Sequence, residues 1–182
     1  QKSRSVERLF TQLDREINKF SGATGISCLS SCGFCCTKPN IEATVLEFLP
    51  YAMHCYLNGT AEEVWEKLSA RDVPQCHLFH TGGESGALGH CSQYQQRGLT
   101  CRLFGFSARQ AKNESLQLYT CNLIKAQKPE EYAAAVAFIQ KKKQVPVVSD
   151  FYRRLRNIDP QLAGEMYPIN QAQLKALELV LQ

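Results

Sequence analysis

The chain has 182 residues, nine of them cysteine, and a formal net charge of +4 at pH 7. This length suits one domain with a sizeable core, and no run of about 18 apolar residues predicts a membrane span. The N-terminal stretch lacks the apolar segment of a secretory signal, and an odd number of cysteines opposes a disulfide framework. We therefore expect a cytoplasmic protein whose thiols stay reduced and can bind metal.

The first half of the chain predicts three helices and then an irregular segment. Apolar residues recur at helical spacing over residues 6–20, with charged residues between them. A second helix is expected over 41–57, with Pro50 kinking or splitting it. A third, over 60–68, begins with the capping-box pattern Thr60–Glu63. Residues 74–106 are rich in glycine, cysteine and histidine, and this composition predicts loops and short turns.

The second half predicts further helices. Cys121 opens this part, Pro129 suits the start of an alanine-rich helix, and a helix beginning at 149–150 is expected to end before Pro160. Asn170 is expected to cap the closing helix. The predicted fold is mainly α, one domain over 1–182, with helices around an irregular cysteine-rich metal-binding core. That core is placed at about 25–125, and a helical C-terminal extension at about 126–182.

Eight cysteines are the candidate metal ligands. Four of them fall within nine residues, in the stretch CLSSCGFCC. Thiolates are soft ligands that hold zinc or iron, and two four-ligand sites would use eight. Cys55 is interpreted instead as a buried structural thiol. The predicted ligands are Cys28, Cys32, Cys35, Cys36, Cys76, Cys91, Cys101 and Cys121.

The adjacent pair Cys35 and Cys36 constrains how such sites could be built. Neighbouring side chains diverge unless the backbone turns sharply, so we expect the pair to face two sites, or two metals of one larger cluster. The spacing does not say which four cysteines share a site. Eight thiolates would add eight negative charges and two bound dications would add four positive charges, so the formal net charge of +4 would become zero. The apparent basicity is therefore no evidence for a nucleic-acid partner.

Histidine and arginine side chains near the cysteines are further candidates. His77 and His90 each adjoin a predicted ligand and could replace a thiolate; His54 and His80 are weaker candidates. Arg97 and Arg102 flank Cys101, and we expect them to donate to sulfur and to offset the negative charge of a bound cluster. Their alternative interpretation is as surface arginines.

These motifs resemble those of the YkgJ-type cysteine-cluster family, whose members are described as zinc- or iron-chelating. One similar motif is CLSSCGFCC, and the other runs from CHLFH at Cys76 through HCSQYQQRGLTCRLFGF. In the second motif Gly98 stands where the family usually has proline, and Cys121 is similar to the family's final cysteine. The resemblance covers about residues 25–125. Positions in register with the second motif are Cys91, Tyr94, Arg97, Cys101, Arg102 and Phe104.

The resemblance implies metal binding but no particular activity, because most of the family has none assigned. Flagellin lysine N-methylases, which carry an iron–sulfur cluster and use S-adenosylmethionine, look like relatives of this family. Carrying that activity over would be an analogy from fold, and no segment here identifies a methyl-donor pocket.

A competing interpretation comes from the stretch CLSSCGFC, which also resembles the CxxxCx(aromatic)C motif of radical S-adenosylmethionine enzymes. The residues Thr81-Gly-Gly-Glu84 resemble the GGE stretch of the same enzymes. Those enzymes need most of a (β/α) barrel, whereas the sequence after Glu84 predicts helix. Two smaller features have plainer interpretations. The basic residues at 141–143 and 153–156 are interpreted as solvated helix faces, and Ser85 does not fit a GxSxG hydrolase turn.

The sequence thus predicts a metal-binding protein with iron–sulfur clusters, of the [4Fe–4S] type, in a redox, cluster-carrying or sensing role. The alternatives are a zinc-stabilised structural or interaction scaffold, or a methyltransferase-like relative that uses S-adenosylmethionine. Metal ions are the expected partners, no protein partner is identified, and no residue is predicted to be catalytic.

Overall fold

The computed structural model describes residues 1–30, 32–82, 89–141 and 144–182. Helices dominate these ranges and the strands are short, so the predicted mainly α class is confirmed. No helix in the same ranges is both long enough and apolar enough to cross a membrane. Glu84 of the GGE stretch, Ser85, and Lys142 and Lys143 of the basic residues at 141–143 lie outside the described residues.

The described residues form eight α-helices and three antiparallel strand pairs. The helices are α1 (Lys2–Thr24), α2 (Val45–Leu57), α3 (Ala61–Ser69), α4 (Leu99–Leu103), α5 (Asn122–Gln127), α6 (Pro129–Gln140), α7 (Val148–Ile158) and α8 (Ile169–Leu181). The strand pairs are β1 (Glu42–Ala43) with β6 (Tyr167–Pro168), β2 (Phe79–Thr81) with β3 (Gly89–Cys91), and β4 (Ser107–Gln110) with β5 (Leu116–Tyr119). Two short 3-10 turns cover Phe34–Thr37 and Tyr94–Gln96.

Helix α2 begins with a capping box at Thr44 and Glu47. The Thr44 hydroxyl accepts from the Glu47 backbone N–H (3.4 Å), and the Glu47 carboxylate accepts from the Thr44 backbone N–H (2.7 Å). The capping box predicted at Thr60–Glu63 is wrong, because Thr60 makes no side-chain cap bond and Glu63 pairs with Lys67 one turn later. The α3 helix itself is present. Pro50 lies within α2 and does not split it.

The described chain divides into two compact units. The first comprises Gln1–Glu7, Ser31–Gly98 and Leu155–Gln182, and the second comprises Arg8–Ser30 and Leu99–Arg154. In the first unit, α8 packs against α2 and α3. The β1–β6 pair joins the starts of α2 and α8, where Ile169 N donates to Ile41 O (2.9 Å). The expectation of a single domain stays a prediction.

The second unit has its own apolar core, to which α1, the β4–β5 hairpin, α5 and α6 contribute. Cys121 packs against that core, and its sulfur accepts from Ile124 N at 3.4 Å, so the thiol caps the N-terminus of α5. The buried core residues are Phe20, Ile26, Ala108, Ile124, Ala135, Ile139 and Val145.

Candidate metal centre

All nine cysteines lie in described residues, and none forms a disulfide. Among the predicted ligands, the first unit holds Cys32, Cys35, Cys36, Cys76 and Cys91, and the second unit holds Cys28, Cys101 and Cys121. The first unit therefore contains enough thiols for a four-ligand site of its own.

A sharp backbone turn brings Cys35 and Cys36 together. Gly33 adopts a left-handed conformation (φ 54°), and the 3-10 turn Phe34–Thr37 follows it, with Cys36 N donating to Gly33 O (2.8 Å). As a result the two sulfurs lie 4.0 Å apart. Two thiolates on one tetrahedral zinc, with Zn–S bonds of about 2.3 Å, would lie about 3.8 Å apart. The pair therefore does not diverge as the sequence led us to expect, and both sulfurs can reach one ion.

The turn rests against the β2–β3 hairpin, which carries Cys91. A Cβ atom on Gly33 would lie only 2.5 Å from Phe79 Cε2 and 2.7 Å from Gly89 O, so only glycine fits this contact. Phe79 is also the strand partner of Cys91. The hairpin therefore places Cys91 directly opposite Phe79, the residue that packs against the turn carrying Cys35 and Cys36.

Cys76 approaches the same turn through the backbone. Its N–H donates to Cys36 O (3.3 Å), and its carbonyl accepts from Phe79 N (3.0 Å) at the start of the hairpin. The Cys76 side chain is 4% exposed. Its sulfur accepts from Gln173 Nε2 at 3.6 Å, and the backbone N–H of Leu78 acts to lower its pKa. Cys76 is therefore held between the cysteine turn, the hairpin and helix α8.

Hydrogen bonds and charge favour the thiolate at Cys35. The side-chain hydrogen bond with Cys36 lowers the pKa of Cys35 to about 6. Partial desolvation opposes this shift, while the backbone N–H groups of both residues and the Arg97 guanidinium favour it. Arg97 lies over the Tyr94 ring, with 3.8 Å between the guanidinium carbon and the ring centroid.

Burial has the opposite effect on Cys76 and Cys91. It raises the pKa of both thiols, and the charges of neighbouring thiolates raise it further. Cys35 acts electrostatically on both residues, and Arg97 counteracts the rise at Cys91. The backbone N–H of Gln93 also acts to lower the pKa of Cys91. The three thiols are therefore near enough for one to influence the ionisation of another.

Cys55 is buried, as the sequence predicts, and Tyr51 on the same helix is buried as well. Burial raises the pKa of both groups, and the two side chains influence each other's ionisation. Cys76 and Cys91 raise the pKa of Tyr51 further, which places this phenol near the same set of thiols. No motif in the sequence indicated a role for Tyr51.

These residues fit a thiolate-bound metal only in part. Among the described residues, no three His, Cys, Asp or Glu side chains are arranged to hold a metal ion. The Cys35–Cys36 pair has the spacing of two ligands on one ion, and Cys76 and Cys91 would have to close on it. The eight-cysteine core stays a prediction, as do the ligand roles of Cys28, Cys32, Cys101 and Cys121.

Three of the histidine candidates lie on or next to the hairpin, whereas His54 is exposed on helix α2. His80 and His90 are direct cross-strand partners, with ring centroids 6.1 Å apart. His77 is half-buried, and burial lowers its pKa. Among the described residues, no histidine belongs to a group of side chains arranged to hold a metal ion. The ligand role of the histidines therefore stays a prediction.

Arg102 lies in the second unit and is almost fully buried. Its Nη1 donates to Asp14 Oδ2 (2.6 Å), and its guanidinium lies over the Phe10 ring. A bond from Arg102 to a ligand sulfur stays a prediction, whereas Arg97 acts electrostatically on two of the candidate thiols.

Helix α8 supplies two polar side chains that sequence reasoning missed or misplaced. The N-cap of α8 is Pro168, so the capping role predicted for Asn170 is wrong. Asn170 instead donates to Val73 O (3.1 Å) and Gln75 O (2.9 Å) and accepts from His77 N (2.8 Å). It thereby fixes the backbone on both sides of Cys76. Gln173 contacts the Cys76 sulfur from the next turn.

No protein-family model matches this chain, and no curated protein or solved structure is significantly similar to it. The resemblance to the YkgJ-type family therefore rests on the two cysteine motifs and stays a prediction.

Proposed function

We propose that this is a metal-binding cysteine-cluster protein and that Cys35, Cys36, Cys76 and Cys91 are its ligands in the first unit. The observation that carries the proposal is the 4.0 Å separation of the Cys35 and Cys36 sulfurs, produced by a left-handed glycine and a tight turn. Vicinal thiols held this close suit a soft metal ion. A compartment that keeps thiols reduced, such as the cytoplasm, would preserve such a site.

An iron–sulfur cluster is our first choice of cofactor. The Gln173 amide donates to the Cys76 sulfur, backbone N–H groups favour the thiolates of Cys76 and Cys91, and Arg97 places positive charge near Cys35 and Cys91. Donors of this kind stabilise cluster thiolates and set their reduction potential. Such a cluster would supply one-electron redox chemistry, and the chain's residues would hold it, shield it and tune its charge. A redox, cluster-carrying or sensing role follows from this choice.

Zinc is the second candidate, and a different feature favours it. A [4Fe–4S] cluster takes one thiolate per iron, whereas the Cys35–Cys36 spacing is close to that of two ligands on one tetrahedral ion. A zinc site would give a structural or interaction scaffold with no redox chemistry.

Anaerobic purification followed by a visible spectrum and analysis of iron, zinc and acid-labile sulfide tests the proposal. Broad visible absorption with iron and sulfide supports the cluster, and zinc without sulfide supports the scaffold. Protein that retains neither metal contradicts both. Two buried cysteines of the first unit provide a matched comparison. Cys76→Ser should lose metal, whereas Cys55→Ser should retain it.

A further inference from the structure

Helix α8 places a buried amide against a candidate metal ligand. Gln173 is 0% exposed, and its Nε2 lies 3.6 Å from the Cys76 sulfur. One turn earlier on the same helix, Asn170 makes three hydrogen bonds to the backbone around Cys76. The position of Gln173 relative to Cys76 is therefore fixed by contacts that do not involve Gln173 itself. This helix lies outside residues 25–125, which the cysteine motifs cover.

The packing of α8 does not explain a glutamine at this position. The other buried residues of the helix are apolar: Ile169, Ala172, Ala176 and Leu177. Within the described part of the chain, the buried Gln173 Oε1 has no hydrogen-bond partner. A buried amide oxygen without a partner destabilises a fold, and an apolar side chain of similar size avoids that cost. The contact to Cys76 is the feature that offsets it.

We propose that Gln173 is a positioning residue for the metal ligand Cys76, and that its amide N–H orients the sulfur and withdraws charge from it. This inference rests on the metal-binding function proposed above. The backbone N–H of Leu78 also favours the Cys76 thiolate, so its own loop and helix α8 both stabilise the charged form of this ligand. Groups that hold a metal ligand in this way strengthen metal binding, and donors to cluster sulfurs influence the reduction potential.

Substitution of Gln173 by methionine removes the N–H donor and keeps the length of the side chain. Gln171→Met is the matched control, because Gln171 is exposed on the same helix. Gln173→Glu keeps the shape but removes the donor and adds negative charge beside the thiolate. The probe is Cd²⁺, a soft ion with the same charge as zinc. Its affinity for the full-length, metal-free protein is measured by competition with a chelator.

We expect Gln173→Met to weaken Cd²⁺ binding by about 10- to 100-fold, the range for loss of a group that supports a metal ligand. Gln173→Glu should bind at least as weakly, and Gln171→Met should match the wild type. The Tm of metal-free Gln173→Met should be unchanged or higher, because the buried oxygen without a partner is removed. If the wild type carries an iron–sulfur cluster, the variant should also show a lower midpoint potential.

The possible failures are distinguishable. A wild-type protein that does not bind Cd²⁺ contradicts both the proposed function and this inference. Normal Cd²⁺ affinity in Gln173→Met or Gln173→Glu contradicts the role of Gln173 and leaves the metal site standing. A lowered Tm of the metal-free Gln173→Met protein, together with weaker binding, shows that the glutamine is structural and also overturns the inference.

Discussion

Replacement of Gly33 by alanine tests whether the Cys35–Cys36 turn is held against the β2–β3 hairpin. Two costs apply to this variant. An L-residue in the left-handed conformation at Gly33 (φ 54°) costs about 1–2 kcal/mol. A methyl group 2.5 Å from the Phe79 ring and 2.7 Å from Gly89 O also forces those atoms apart, at about 1–3 kcal/mol. The variant should therefore lose about 2–5 kcal/mol of unfolding free energy in the metal-free protein.

Gly59 provides the matched control for the backbone term. It is also left-handed (φ 69°), but a Cβ there would meet nothing within 4 Å. Gly59→Ala should lose only about 1–2 kcal/mol, and urea unfolding of both variants gives the difference. Gly33→Ala should also weaken Cd²⁺ binding, and Gly59→Ala should not. Equal losses of stability, with Cd²⁺ affinity unchanged in both, would refute the packing of the turn on the hairpin.

Three further variants test other parts of the account. Thr44→Ala removes the bonded N-cap of α2 and should cost about 1 kcal/mol of unfolding free energy in urea. In metal-free protein, alkylation of Cys35 should follow a pKa of about 6, and Cys36→Ala should raise that pKa towards 9.0, because the donor is lost. Asn170→Ala removes three hydrogen bonds to the loop around Cys76 and should lower both the urea midpoint and the Cd²⁺ affinity.

The sign of the pH effect follows from the direction of the Cys35 shift. Because the pKa of Cys35 is lowered on folding, its thiolate stabilises the folded state above pH 9, and this contribution falls away as the pH drops towards 6. An alkylation midpoint near 9 in the wild type would contradict the Cys36 hydrogen bond.

Controls for the two stability variants come from the same unit. Thr60→Ala should cost less than Thr44→Ala, because Thr60 makes no side-chain cap bond; the reverse order would contradict the capping box. Gln171→Ala on the exposed face of α8 should leave Cd²⁺ affinity unchanged, and unchanged affinity in Asn170→Ala as well would contradict its role at the loop.

Local patterns in the sequence predicted where helices occur more accurately than they predicted how the helix ends are capped. The amphipathic spacing located α1, and the proline at 129 marked the start of α6, because both features act within one or two turns. The T-x-x-E pattern precedes both α2 and α3, and of these two copies only the one at Thr44 forms a capping box, with Glu47 fully buried. The β4–β5 hairpin carries no strong alternation, and the sequence did not predict it.

The thiols of the candidate site were evident from their number and spacing, but their mutual geometry was not. Cys35 and Cys36 share one side of the turn because Gly33 adopts a left-handed conformation against Phe79, a residue 46 positions later. Gln173 lies 97 positions after Cys76. Contacts of that kind depend on how helices pack, and no local pattern encodes them. A glutamine on the apolar stripe of α8 was the one available signal.

X-ray absorption at the edge of the metal bound to the purified protein tests the central claim most directly. We expect four sulfur neighbours at about 2.3 Å in wild-type protein, either four thiolates on zinc or one thiolate and three sulfides on each iron of a cluster. Replacement of any one of Cys35, Cys36, Cys76 or Cys91 by serine should reduce the sulfur count at zinc or the metal content of the protein, whereas Cys55→Ser should change neither. A first shell made of oxygen or nitrogen, or four ligand variants that all keep the wild-type sulfur count and metal content, would contradict the proposed site.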